Sequence, residues 1–148
     1  MRDTILKYLV NHVDKDLSEA RARMASLKES LGAESKSSAG DKHETGRAMI
    51  HLEQERVQDT VRRLEHMRGI LLQRAAQDKA IQRVSPGALV ETTGPWVLVG
   101  VPLGKVLLPD ALVLCVGAEA PLARQWHGAQ PGDQVVLGPQ KLTIQAIH

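Results

Sequence analysis

The sequence predicts an α+β chain: an N-terminal antiparallel α-helical coiled-coil hairpin over residues 1–83, then a small antiparallel β domain with one short helix over residues 84–148. Three observations carry this expectation: two long stretches with heptad spacing, a Gly- and Ser-rich break between them, and a change near Arg83 to short β-branched runs punctuated by Pro and Gly.

In the first stretch the apolar positions are Leu6, Val10, Val13, Leu17, Ala20, Met24, Leu27 and Leu31, alternating steps of four and three. That is the seam of a coiled coil, with charged residues filling the other faces. The second stretch carries Ile50, Val57, Leu64 and Leu71 at sevens, with Val61, Met67 and Ala75 near the complementary positions. Between them "GAESKSSAGD" offers Gly32 as a C-cap and Gly40 as a turn residue. So short a linker returns the chain antiparallel, and a helix of about 28 residues extends roughly 42 Å. The expected shape is a finger with its tip at residues 37–47.

Beyond Arg83, strands are expected near Ala88–Thr92, Trp96–Val101, Leu112–Val116, Gln134–Leu137 and Lys141–Ile147. "EAPLARQWHG" reads as a short helix, with Pro121 suited to its first turn and Gly128 to its end. "PGDQ" and "GPQK" are turn sequences expected to join the last strands into hairpins.

Composition narrows the function classes. The chain of 148 residues has two Trp, one Tyr and no Phe, so a large core would be almost wholly aliphatic. A net charge of +2 with interspersed signs gives no global field for nucleic acid or membrane. No stretch approaches the ~20 apolar residues of a membrane span, and no secretory leader pattern is present, which predicts a soluble cytoplasmic protein without a membrane partner. The single cysteine, Cys115 in "ALVLCVG", reads as a small buried hydrophobe rather than a reactive thiol.

The chemistry-bearing candidates lie in "SSAGDKHETGRAM". Asp41 and Glu44 have the spacing of a capping box, which would satisfy free amides at the start of the second helix. The same spacing projects two carboxylates to a similar side, where they could supply oxygen ligands to magnesium. Magnesium uses one or two protein carboxylates and completes its shell with water and phosphate oxygens, so the pair would bind it poorly alone. Delivered to a site already holding one metal, it would complete a two-metal arrangement for phosphoryl transfer. A zinc motif H-E-x-x-H would need His at position 47, which is Arg47. His12 and His66 sit in helical charge patterns, and no P-loop, nucleophile elbow or paired-Cys motif occurs. Arg62, Arg63, Arg68, Arg74 and Arg83 form either a solvated face or a surface for phosphate or an acidic protein.

This arrangement resembles the Gre family of bacterial transcript-cleavage factors, over most of the chain. Their tip motif has the form G-D-L-x-E-N-A-E-Y, and "GDKHETGRA" retains Gly40, Asp41 and Glu44. In their C-terminal half a strand is followed by an S-P-I-A-R-A-L-I-G segment, a G-D-x-V strand and a final strand. "VLCVGAEAPLARQWHGAQPGDQVVL" and "KLTIQAI" follow that order, matching at Pro121, Leu122, Ala123, Arg124, Gly128, Gly132, Asp133 and Val135.

The resemblance implies an FKBP-like C-terminal domain that docks on bacterial RNA polymerase, here through Pro121, Leu122, Arg124 and Asp133. It implies a finger entering the polymerase secondary channel, where Asp41 and Glu44 help hold a second Mg2+ shared with the polymerase active site. The polymerase would then cleave backtracked RNA at the nascent 3′ end. The factor itself would be no enzyme, would hold no cofactor tightly, and is expected to be a monomer. Gly40, Lys42 and Arg47 would be tip contacts.

The departures are Lys42 for Leu, Thr45 for Asn, Gly46 for Ala, Arg47 for an acid and Ala48 for the aromatic. Arg47 reverses a charge beside the acids. Two other functions therefore stand beside cleavage stimulation: a channel-binding regulator or inhibitor that does not cut, and a coiled-coil adaptor.

Overall fold

The computed structural model describes residues 1–35 and 40–148, with side chains described for 1–33 and 44–148. The chain is α+β: helices α1 (Arg2–Ser35) and α2 (Gly40–Ala76) precede a six-stranded mixed sheet that carries a short helix. The helices have 34 and 37 residues, longer than the spacing alone predicts. Gly32 does not end α1: it lies in the helix, without a positive φ, and the helix continues to Ser35. Gly40 is the first residue of α2 rather than part of a turn. A helical glycine costs only about 1 kcal/mol against alanine, which a long packed helix absorbs. The rest of the expected turn, residues 36–39, lies outside the described residues.

Contacts divide the chain into two compact units: His12–His66, and Met1–Asn11 together with Met67–His148. In the first unit the heptad positions Val13, Leu17, Leu27, Val57, Val61 and Leu64 are buried. Ala20, Met24, Leu31 and Ile50 are half-buried. Each fully buried aliphatic side chain is worth roughly 1.5–3 kcal/mol, so this stripe supplies most of the unit's stability. Arg21 of α1 donates to Glu65 of α2 at 3.1 Å. Ala75, expected near the seam, belongs to the other unit and is exposed.

The second unit holds the sheet: β1 (Leu89–Thr92), β2 (Trp96–Val99), β3 (Gly104–Leu107), β4 (Leu112–Val116), β5 (Gln134–Leu137) and β6 (Gln140–Ile147), in spatial order β3-β4-β2-β1-β6-β5. The expectation of an all-antiparallel sheet is corrected by β2 and β4, which pair in parallel from Trp96↔Val113 to Val99↔Val116. The cause is β3, which sequence reading missed. It leaves β2, passes over one strand position and returns as a hairpin, so β4 enters the vacant slot in the direction of β2. "GPQK" does form the β5–β6 hairpin, whereas "PGDQ" leads from the helix into β5 and joins no two strands.

Helix α3 (Pro121–Trp126) has Pro at its start, and Gly128 follows its end at φ +81°, a conformation that side-chain-bearing residues rarely adopt. Its buried Ala123 and Trp126 join a core with Val90, Val97, Val99, Ile144 and Ile147, residues that share one face of the sheet. The opposite face, with Leu89, Leu98, Val113 and Cys115, is buried as well. The unit's remaining elements able to cover it are the ends of α1 and α2, where Ile5, Leu6, Leu9 and Leu71 are fully buried.

Candidate functional site

The acidic tip begins with α2. Because the helix starts at Gly40, Asp41 lies in its first turn and Glu44 in the next, rather than Asp41 standing as an N-cap outside it. Carboxylates here meet the positive end of the helix dipole, worth about 0.3–1 kcal/mol each. Glu44 is exposed; Arg47, one turn on, is half-buried and has interactions of its own. The side chains of Gly40, Asp41 and Lys42 lie outside the described residues.

Met49 and Leu52, 67% and 50% exposed, lie beside this turn and were not singled out by sequence reading. The signal was present: both fall outside the heptad seam, so they are apolar residues on a face with no apolar partner in the helix pattern. Among the described residues no group of three or more His, Cys, Asp or Glu side chains could hold a metal.

Three of the expected docking residues, Pro121, Leu122 and Arg124, lie in α3, and Asp133 lies in the turn before β5. Pro121 opens the helix and is exposed. Leu122 is half-buried against the core. Arg124 donates to Glu119 at 2.9 Å, an exposed pair. Asp133 is occupied locally: its carboxylate accepts the Gln130 amide at 2.8 Å, and its carbonyl accepts the Ile144 amide at 2.9 Å. Asp133 therefore shapes the turn into β5, with Gly132 at φ +93° beside it.

Arg124 and Glu119 also border a depression of about 310 Å³, with Ser85, Pro86, Val99 and His127. It is near the lower end of ligand-site sizes and open to solvent, which suits a side chain from a partner better than an enclosed small molecule. Cys115 is buried, and desolvation pushes its thiol up to about 12, so it is no nucleophile. His12 faces Asp16 at 3.8 Å on α1, and His66 is exposed, so neither belongs to a constellation. Among the described residues no helix is long and apolar enough to cross a membrane.

No protein-family model, no curated protein and no solved structure matches this chain.

Proposed function

We propose that this chain is a Gre-like transcription elongation factor: it binds bacterial RNA polymerase, inserts a coiled-coil tip into the secondary channel and stimulates cleavage of backtracked RNA by the polymerase. The observation that carries this reading is the exposure of Glu44 at the start of α2, three residues after Asp41, on helices whose heptad stripe is largely buried. In this reading α1 and α2 form an antiparallel hairpin. The bond from Arg21 to Glu65 and the bond from Arg2 to the Arg74 carbonyl support it, since the partner's number rises as the first residue's falls. The sheet unit is proposed as FKBP-like in the sense of one short helix laid on a sheet face, and its Pro121, Leu122, Arg124 and Asp133 as the polymerase-docking surface.

Asp41 and Glu44 would supply carboxylate oxygens to Mg2+ shared with the polymerase, and the ion would supply charge neutralisation at the scissile phosphodiester. The chain's own contribution is positional: the start of α2 carries the two acids in successive turns. The factor assists the polymerase and reaches the nascent 3′ end only within that complex; localisation in the cytoplasm follows from the partner.

A second reading is favoured by Arg47 and Lys42, which place positive charge beside the acids where the family motif has an acid and a leucine. In it the chain occupies the channel without promoting cleavage. Co-sedimentation with bacterial core RNA polymerase tests what the two readings share. Binding that weakens with Arg124→Glu is the expected result, and no binding at micromolar concentration rejects both in favour of an adaptor.

A further inference from the structure

The end of α2 is held by a residue from the start of α1. Arg2 Nη2 donates to the carbonyl oxygens of Arg74, at 2.5 Å, and of Gln77, at 2.6 Å. The last carbonyls of a helix have no partner within it, and a cation there complements the negative end of the dipole. The Arg2 side chain is only 14% exposed; its bond to Arg74 is partly buried and its bond to Gln77 exposed, and its Nη1 pairs with the Asp3 carboxylate.

Further along, the Ile81 amide donates to Ile147 of β6 at 3.0 Å and the Val84 amide to Ala129 beyond α3 at 2.9 Å, which anchors the chain again. Between Gln77 and Ile81 lie Asp78, Lys79 and Ala80, all exposed. The segment is thus a short span between two anchored points, and the Arg2 fork is the only side chain bonded to its first anchor among the described residues.

We infer that Arg2 is a latch: its guanidinium, bridging two carbonyls, holds the end of α2 and the start of the 78–80 segment closed, and its release frees that segment without unfolding the sheet. The latch works against a like charge. Arg74 is held below the ordinary arginine range, first by burial and second by the neighbouring Arg2, so the closed arrangement keeps two guanidinium groups close together. A hydrogen bond to a charged group contributes enough for its loss to raise local opening about tenfold.

Amide hydrogen exchange of the full chain tests this. In Arg2→Ala, exchange at residues 75–77 should rise about tenfold while Leu89, Val99 and other sheet amides keep wild-type rates. Cleavage after Lys79 by a lysine-specific protease should quicken in parallel. Unchanged exchange at 75–77, or an equal rise throughout the sheet, overturns the latch. Arg2→Lys keeps the charge without the fork and provides the second variant. A smaller rise confined to the same amides supports the proposal, and wild-type exchange overturns it, because charge alone would then suffice.

Discussion

Arg21 of α1 and Glu65 of α2 meet at 3.1 Å although they stand 44 positions apart in the chain. Both side chains are more than half exposed, at 61% and 52%, so the pair marks how the helices meet more than it holds them together.

A stability comparison follows directly. Leu17 is 2% exposed on the buried stripe of the same unit. Leu17→Ala should cost about 2–4 kcal/mol, and Arg21→Ala less than about 1 kcal/mol. Urea denaturation followed by circular dichroism measures both; a comparable loss from the two would refute the assignment of stability to the apolar seam.

Trp126 supplies both volume and a donor to the sheet unit, its indole Nε1 donating to the Val136 carbonyl at 3.1 Å. Trp126→Phe keeps much of the aromatic area but leaves a carbonyl unpaired. It should cost about 1–3 kcal/mol, and the fluorescence lost should be the blue-shifted component, since Trp126 is buried and Trp96 is only half-buried.

The Cys115 thiol is raised from 9.0 to about 12 by burial, so the folded chain holds its proton more tightly than the unfolded chain does. The contribution to stability is complete below pH 9.0 and is lost as pH climbs from 9.0 towards about 12. Wild type should therefore lose stability relative to Cys115→Ala across that range, by at most about 1.4 kcal/mol per pH unit. A thiol reagent at pH 8 should modify the unfolded chain and spare the native one; rapid native modification contradicts the burial.

Gly128 has φ +81°, and nothing lies within 4 Å of a methyl group built there. Gly128→Ala therefore isolates backbone strain, costing roughly 1–2 kcal/mol without a clash. Gly32→Ala, inside α1 and also in open space, should instead stabilise by up to about 1 kcal/mol. Melting temperatures that move in the same direction for both would contradict the two assignments.

Much of the architecture was legible because it follows from local period. The helical seam, α3 with Pro121 at its start and Gly128 after its end, and the β5–β6 hairpin all rest on patterns a few residues long. What was missed depends on partners distant in sequence. "GKVL" at β3 is short, lies between Pro102 and Pro109, and becomes a strand only because β4 pairs with it. The parallel register of β2 and β4 has no local signature. At the candidate site Glu44 was legible as an acid at a helix start, whereas Arg2 was not legible as a cap, because its carbonyl partner lies 72 positions away. The part Asp133 plays in the turn before β5, through its bond to the Gln130 amide, is visible only in the fold.

Transcript cleavage in a stalled, backtracked bacterial RNA polymerase complex, at fixed magnesium, tests the central claim most directly. The comparison is wild type against the double variant Asp41→Asn, Glu44→Gln. The account predicts that wild type shortens the RNA from its 3′ end, and that the variant binds equally well but leaves the RNA at full length. Equal cleavage by the two proteins, or a wild type that fails to bind the polymerase, would contradict it.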